Sequence, residues 1–200
     1  MNSESGFALW DSFKQGNWFA YTSLYNDHFR ALSNYGYKFT RDTNLIEDAI
    51  HDLFVRLWTT RDNLSTPASV RNYLYKSLRN ILLRKMKTQG KFTGIDTAEY
   101  PCGFEVTYNN HFLSAIEDRE LQSRIKNVIN TLPPRQREII FLRFYEGLSY
   151  EEIADIMGIG INSTYKLLYK ALRNLQQTLG SSSLLSLLLS LKSFNHFFSA

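Results

Sequence analysis

The sequence predicts an all-α protein, two small helical domains joined by a flexible acidic linker, with a helix-turn-helix in the second. Three observations lead there. Apolar residues recur at three- and four-residue spacings in segment after segment, no stretch alternates as a half-buried strand would, and capping residues, prolines and glycines fall where the periodic segments begin and end. The 200 residues suit one ordinary domain or two small ones, and a content of 44% hydrophobic and 14% aromatic residues with only 10 Gly and 4 Pro favours buried cores over disorder.

Taken in order, Phe7–Lys14 and Trp18–Phe39 read as a short and a long helix parted by Gly16-Asn17, with Gly36 as a weak point in the second. Ile46, Ala49, Ile50, Leu53, Phe54, Leu57 and Trp58 form one face of an amphipathic helix. Ser65-Thr66-Pro67 offers an N-cap and a first-turn proline for a helix running to about Thr88, whose apolar face is Val70, Leu74, Ser77, Leu78 and Ile81. The stretch Phe92–Asn110, with Gly94, Pro101 and Gly103, reads as a linker. Leu121, Ile125, Val128 and Ile129 then share a helix face that ends at Leu132-Pro133, and Pro134 starts the next helix, which should reach Glu146 and close at Gly147. Ser149-Tyr-Glu-Glu152 is a capping box for a helix that Gly158 terminates, and Asn162 or Ser163 caps the last helix, which should reach about Gln177. The expected divisions are residues 1–91, a linker over 92–112, a second domain over 113–179 and an apolar extension over 180–200.

Charge is distributed unevenly around a net +4. Arg71, Lys76, Arg79, Arg84, Lys85, Lys87 and Lys91 fall in 21 residues without an acid, a footprint for a polyanion. From Thr93 to Glu120 the balance is −5, and beyond Asp155 there is no acid at all. Cys102 has no intramolecular disulfide partner, and it and the four histidines show no zinc spacing, so a reduced cytoplasmic chain with neither metal nor cofactor is expected. Met1-Asn-Ser-Glu-Ser-Gly6 lacks the basic and apolar pattern of a signal peptide. No basic neighbour lowers the pKa of Cys102, which reads as incidental rather than as a redox sensor.

The most specific pattern is Ser149–Arg173, two helices meeting at Gly158-Ile-Gly-Ile161. Ala154 suits the closest helix contact, and Ile153, Met157, Ile159 and Leu167 supply a small core. The second helix would present Ser163, Tyr165, Lys166, Tyr169, Lys170 and Arg173, hydroxyls for base edges or phosphates and cations for the backbone of DNA. An ordinary αα-hairpin with a solvated basic face explains neither the turn chemistry nor the missing acids.

Here the sequence resembles the extracytoplasmic-function (ECF) RNA polymerase sigma factors, in particular members of Bacteroidetes type. The second DNA-binding domain of that family is matched by Leu132-Pro-Pro-Arg-Gln-Arg-Glu138, Phe141-Leu-Arg143, the run Glu146–Gly158 and Leu167-Leu-Tyr-Lys-Ala-Leu-Arg173. Ile46–Trp58 resembles the family's polymerase-binding helix and Asn72–Asn80 its promoter-melting helix. Thr164 stands where a valine-like residue is usual, so a slightly weakened core is expected, and His51 stands where glutamine is usual.

The resemblance implies a non-enzymatic protein whose partners are core RNA polymerase, promoter DNA and an anti-sigma factor or other accessory protein. Residues 1–91 would bind polymerase and melt the −10 region, and residues 113–179 would read the −35 element. It assigns polymerase docking to Glu47, Asp48, His51, Asp52 and Trp58, and −10 recognition and melting to Arg71, Tyr73, Tyr75, Lys76, Arg79, Asn80 and Arg84, with Asn80 reading an unpaired base. It assigns −35 contacts to Ser163, Thr164, Tyr165, Lys166, Tyr169, Lys170 and Arg173. Cations beside tyrosines suit the gripping and stacking of melted strands, and core packing is the other reading of Tyr73 and Tyr75. Asp48 and Asp52, one turn apart, lack the partners that acid–base catalysis requires; a solvated face is the plain alternative to docking.

The acidic linker either threads the polymerase toward the RNA path or is a tether. In the extension, Leu184–Phe194 is too short an apolar run to cross a bilayer, which needs about 20 residues, so no membrane insertion is expected. Leu185, Leu188, Leu189 and Phe197 either pack onto the second domain or, the preferred reading, dock an anti-sigma or accessory protein; interfacial membrane binding is weakly supported by the one cation, Lys192. Two other classes compete: a helix-turn-helix regulator that binds DNA without polymerase, and a nucleic-acid enzyme such as a recombinase, for which no nucleophile or metal constellation is found.

Overall fold

Residues 3–88 and 127–179 are described in the computed structural model, and among them there is no strand. The linker with Cys102, the upstream half of the Leu121–Ile129 face, Lys91 and the whole 180–200 extension lie outside the described residues. The chain divides into two units, residues 1–93 and 94–200.

In the first unit α1 (Ser3–Lys14) ends at Gly16, whose φ of 84° is accessible to glycine at little steric cost. The side chain of Asn17 then caps α2 (Trp18–Gly36), accepting from the amides of Phe19 at 2.9 Å and Ala20 at 3.2 Å. At the other end of α2, a Cβ on Gly36 would lie 2.7 Å from Ile46 Cγ2, so glycine is what allows α2 to approach α3 (Thr43–Thr60). Helix α3 is capped by Asp42, which accepts from Leu45 N at 3.1 Å. As the spacing predicts, it buries Ile46, Ala49, Ile50, Leu53, Phe54 and Leu57, while Trp58 is half-buried.

Helix α4 (Val70–Thr88) begins later than expected. Pro67 is not its first residue; Ser69 supplies the cap, its Oγ accepting from Asn72 N at 3.3 Å, and Thr66 instead reaches Asp11 of α1 at 3.1 Å. Its buried face is also broader than the expected stripe. Because α4 packs against α1, α2 and α3, it buries Asn72, Tyr75, Arg79, Leu82 and Met86 beside Val70, Leu74, Leu78 and Ile81, while Ser77 is half-buried. Each large apolar side chain so buried contributes about 1.5–3 kcal/mol relative to exposure.

In the second unit residues 127–131 are helical, and α5 (Pro134–Ile140) starts at a proline, as the sequence implies. It widens into a π-helical turn over Phe141–Tyr145, with Glu146 N donating to Phe141 O at 3.1 Å. The single α-helix expected from Pro134 to Glu146 is therefore two geometries. Gly147 (φ 68°) makes the following bend. Both halves of the capping box are formed at α6 (Tyr150–Met157): Glu152 N donates to Ser149 Oγ at 3.2 Å, and Ser149 N to Glu152 Oε2 at 2.7 Å. Gly158, left-handed at φ 64°, ends α6, and α7 (Ile161–Leu179) follows. Helix α7 starts before the proposed caps Asn162 and Ser163, with Thr164 N already bonded to Gly160 O at 3.0 Å.

Candidate nucleic-acid interface

Helices α6 and α7 pack on each other, and α7 also lies along α5, where Asn174 Nδ2 donates to Gln136 Oε1 at 2.9 Å. The buried side of α7 is Thr164, Leu168, Ala171 and Leu175, joined in the core by Ile153, Ile156 and Met157 of α6. Ile159, Leu167 and Ala154, expected inside, are half-buried. Of the paired leucines, Leu168 is the core residue. The register of α7 leaves Ser163, Tyr165, Lys166, Tyr169, Lys170 and Arg173 exposed on one side of the helix. Thr164 is not among them. It is fully buried, its Oγ1 donating to Gly160 O at 3.2 Å, so its assignment to DNA contact is corrected to a packing role. Ile161 and Asn162 are also exposed in the first turn of α7. Helical register before Thr164 places both on this side once the helix starts at Ile161 and not at Asn162 or Ser163.

The loop leading into α6 is held by Arg143, whose Nη1 donates to Leu148 O at 2.7 Å and whose guanidinium lies 5.0 Å from the centroid of Tyr150. Glu151 is held below the usual carboxylate range chiefly by a hydrogen bond to its own backbone, then by the Ser149 side chain and Arg143. Burial pushes the Tyr145 hydroxyl far above the usual tyrosine range, so it stays neutral.

On α4, Arg71, Asn80 and Arg84 are exposed, and Tyr73 and Lys76 are half-buried. Tyr73 meets Trp10 edge-on at 5.5 Å. Two expected residues belong to the core. Tyr75 is 1% exposed and lies 4.8 Å from the ring of Tyr35, and Arg79 is 6% exposed, so neither is a solvent-facing surface for strand capture. The guanidinium of Arg71 sits 5.5 Å from the Tyr75 ring, covering it from outside. On α3, Glu47, Asp48, His51 and Asp52 are exposed together, and Val55, 43% exposed, continues their face one turn on. Val55 is legible in the sequence as an apolar residue outside the buried stripe. Trp58 is engaged in an aromatic cluster, 5.3 Å from Trp18 and 5.0 Å from Tyr21, with Arg61 over its ring at 4.7 Å.

A helix-turn-helix with a cation-bearing, acid-free second helix, preceded in the chain by a separate helical unit with its own basic helix, is the architecture of a DNA-binding protein. Comparison with known proteins makes this specific. The family model "Sigma-70 region 2" matches residues 24–92 and "Sigma-70, region 4" matches residues 122–175, together more than half of the chain. The RNA polymerase sigma factor SigV of Bacillus subtilis is 24% identical over 148 residues, 74% of this chain and 83% of the relative. The ECF RNA polymerase sigma factor SigL of Mycobacterium tuberculosis is 25% identical over 158 residues, 78% and 87% of the two chains. Among solved structures, CnrH in complex with the cytosolic domain of CnrY shares the fold, with a TM-score of 0.59 at 21% identity over 86% of this chain and 96% of that one. The chain belongs to the sigma-70 family, as an ECF sigma factor.

Proposed function

We infer that this protein binds core RNA polymerase and directs promoter-specific transcription initiation. The observation that carries the inference is that regions 2 and 4 of sigma-70 occur in order on two separate helical units of one chain. In this reading the exposed face of α7 contacts the −35 element through Ser163, Tyr165, Lys166, Tyr169, Lys170 and Arg173. Arg71, Tyr73, Lys76, Asn80 and Arg84 of α4 engage the −10 strand, and the acidic face of α3, Glu47, Asp48, His51 and Asp52, docks to polymerase together with Trp58. Residues 1–91 and 113–179 are the two working domains. The protein is a polymerase subunit without catalysis of its own, and it acts in the cytoplasm, where core polymerase works on DNA.

An anti-sigma factor is a fitting regulator, since the sigma factor RpoE of Bartonella quintana, which shares this fold with a TM-score of 0.54 at 22% identity, is solved in complex with the anti-sigma factor NepR. The kinship to members of Bacteroidetes type rests on the sequence resemblance alone. Among the described residues no helix is long and apolar enough to cross a membrane.

Reconstitution tests the inference. Added to purified core polymerase, the protein should yield transcripts with discrete start sites from a genomic template. Sequence-specific DNA binding by the protein alone, with no initiation when core is supplied, overturns it in favour of an independent helix-turn-helix regulator.

A further inference from the structure

The exposed side of α7 carries an apolar line. Ile161, Tyr165 and Tyr169 follow at four-residue intervals and are 39%, 46% and 69% exposed, bordered by the exposed cations Lys166, Lys170 and Arg173. Tyr165 is not a loose side chain in this line. Its ring stacks on Tyr150 with centroids 4.1 Å apart and planes 30° from parallel. Tyr150 lies inside the capping box, directly after its N-cap Ser149, so its backbone is fixed by the Ser149–Glu152 hydrogen bonds. Arg143, itself anchored to Leu148 O, lies over the Tyr150 ring. A ladder of Arg143, Tyr150 and Tyr165 therefore leads from the body of the unit to its cation-lined surface.

A ring held in this way has lost its rotamer freedom before any partner arrives, which lowers the entropic cost of a contact. Its aromatic surface offers no hydrogen-bond code for a base edge. What an apolar group distinguishes in the major groove is the C5-methyl group of thymine.

We propose that Tyr165, positioned by Tyr150, reads a thymine methyl group in the −35 element. Tyr165 is then a specificity-determining residue and Tyr150 a positioning residue. The proposal rests on the reading of α7 as the DNA-contacting helix.

The test uses holoenzyme assembled from the full chain and core polymerase. A duplex library randomised across the −35 region gives the preferred element, and each thymine in it is then replaced singly by deoxyuridine, which lacks only the methyl group. At one position the wild type should lose about fourfold in affinity, the worth of one buried methyl group. Tyr165→Phe should keep that thymine–uracil difference, and Tyr165→Ala and Tyr165→Gln should erase it. Tyr150→Phe preserves the stack and should preserve the difference, while Tyr150→Leu should shrink it at that position and at no other. Indifference to every methyl group, or a difference that survives in both Tyr165→Ala and Tyr165→Gln, overturns the proposal and leaves the reading of α7 intact. Failure to select any −35 element, or full affinity after alanine replacement of Lys166, Lys170 and Arg173, removes α7 from the DNA and the proposal with it.

Discussion

Lys85 Nζ lies 2.7 Å from Asp52 Oδ2, an ion pair that ties the basic helix α4 to the acidic face of α3. Both side chains are partly exposed, 27% for Lys85 and 50% for Asp52, so the pair contributes about 0.2–1 kcal/mol at most. Asp52 thus has an internal partner as well as a proposed external one, and the two roles are separable.

Reversing Asp48 alone is expected to weaken association with core polymerase, because like-charge repulsion replaces attraction at an exposed site, with the melting temperature nearly unchanged. Asp52→Arg should do the same and also lower the melting temperature slightly. Adding Lys85→Asp to Asp52→Arg rebuilds the pair with its charges exchanged and should restore stability but not association. Co-purification with core and thermal melts read the two effects separately. Undiminished co-purification of both single reversals would take this face away from polymerase.

Asn80 is exposed on α4, so its truncation leaves the core intact. Asn80→Ala is expected to reduce permanganate reactivity of the melted promoter more than it reduces initial polymerase binding, since an amide paired to an unpaired base acts only once strands part. Wild-type reactivity would remove Asn80 from the site.

Tyr75→Ala is expected to destabilise the first unit by about 3–5 kcal/mol, the usual cost of deleting a buried aromatic ring. The ring is 1% exposed and packed on Tyr35. A melting temperature within a degree or two of wild type, with promoter melting lost, would return Tyr75 to the strand-binding surface.

The burial of Tyr75, unlike that of the α3 stripe, depends on how many neighbours its helix has. Periodicity identifies the apolar side of a helix, and for α3 the stripe Ile46–Leu57 is what the fold buries. Helix α4 is covered by three other helices, so residues flanking its stripe are buried too, and a sequence does not say how many neighbours a helix will have. The late start of α4 has a similar cause. Ser65 and Ser69 both offer a capping hydroxyl, and only the path of the chain past Asp11 decides between them. Local chemistry was more legible: the Ser149–Glu152 box and the left-handed Gly158 depend on residues within one turn and were read directly. The π turn at Phe141–Tyr145 has no comparable local signature in the residues.

Lys166, Lys170 and Arg173 share the exposed side of α7 without an acid after Asp155. Replacing all three by alanine should lower the slope of log affinity against log salt by about 2 to 3, close to 0.9 for each phosphate no longer neutralised. Measuring holoenzyme binding to the preferred duplex over a salt series checks it, and an unchanged slope would place the helix away from the phosphates.

Thr164 gives the sharpest test of where the recognition helix divides core from surface. Its side chain is wholly buried, and its hydroxyl donates at 3.2 Å to Gly160 O, a carbonyl that already accepts the Thr164 amide at 3.0 Å. Replacing the hydroxyl by a methyl group therefore leaves Gly160 O satisfied while removing a polar atom from an apolar site. Valine and threonine are both β-branched, so the helix loses little in propensity. Thr164→Val is expected to leave stability within about 1 kcal/mol of wild type, the net worth of one hydrogen bond, with −35 affinity and sequence preference unchanged. Thr164→Lys puts a charge where it has neither water nor partner and should unfold the second unit before it can strengthen DNA binding. Thermal melts and duplex binding of the two variants decide the matter. A stable Thr164→Val protein with an altered −35 preference would show that the hydroxyl reaches DNA, and the division between buried and exposed faces of α7 would have to be redrawn.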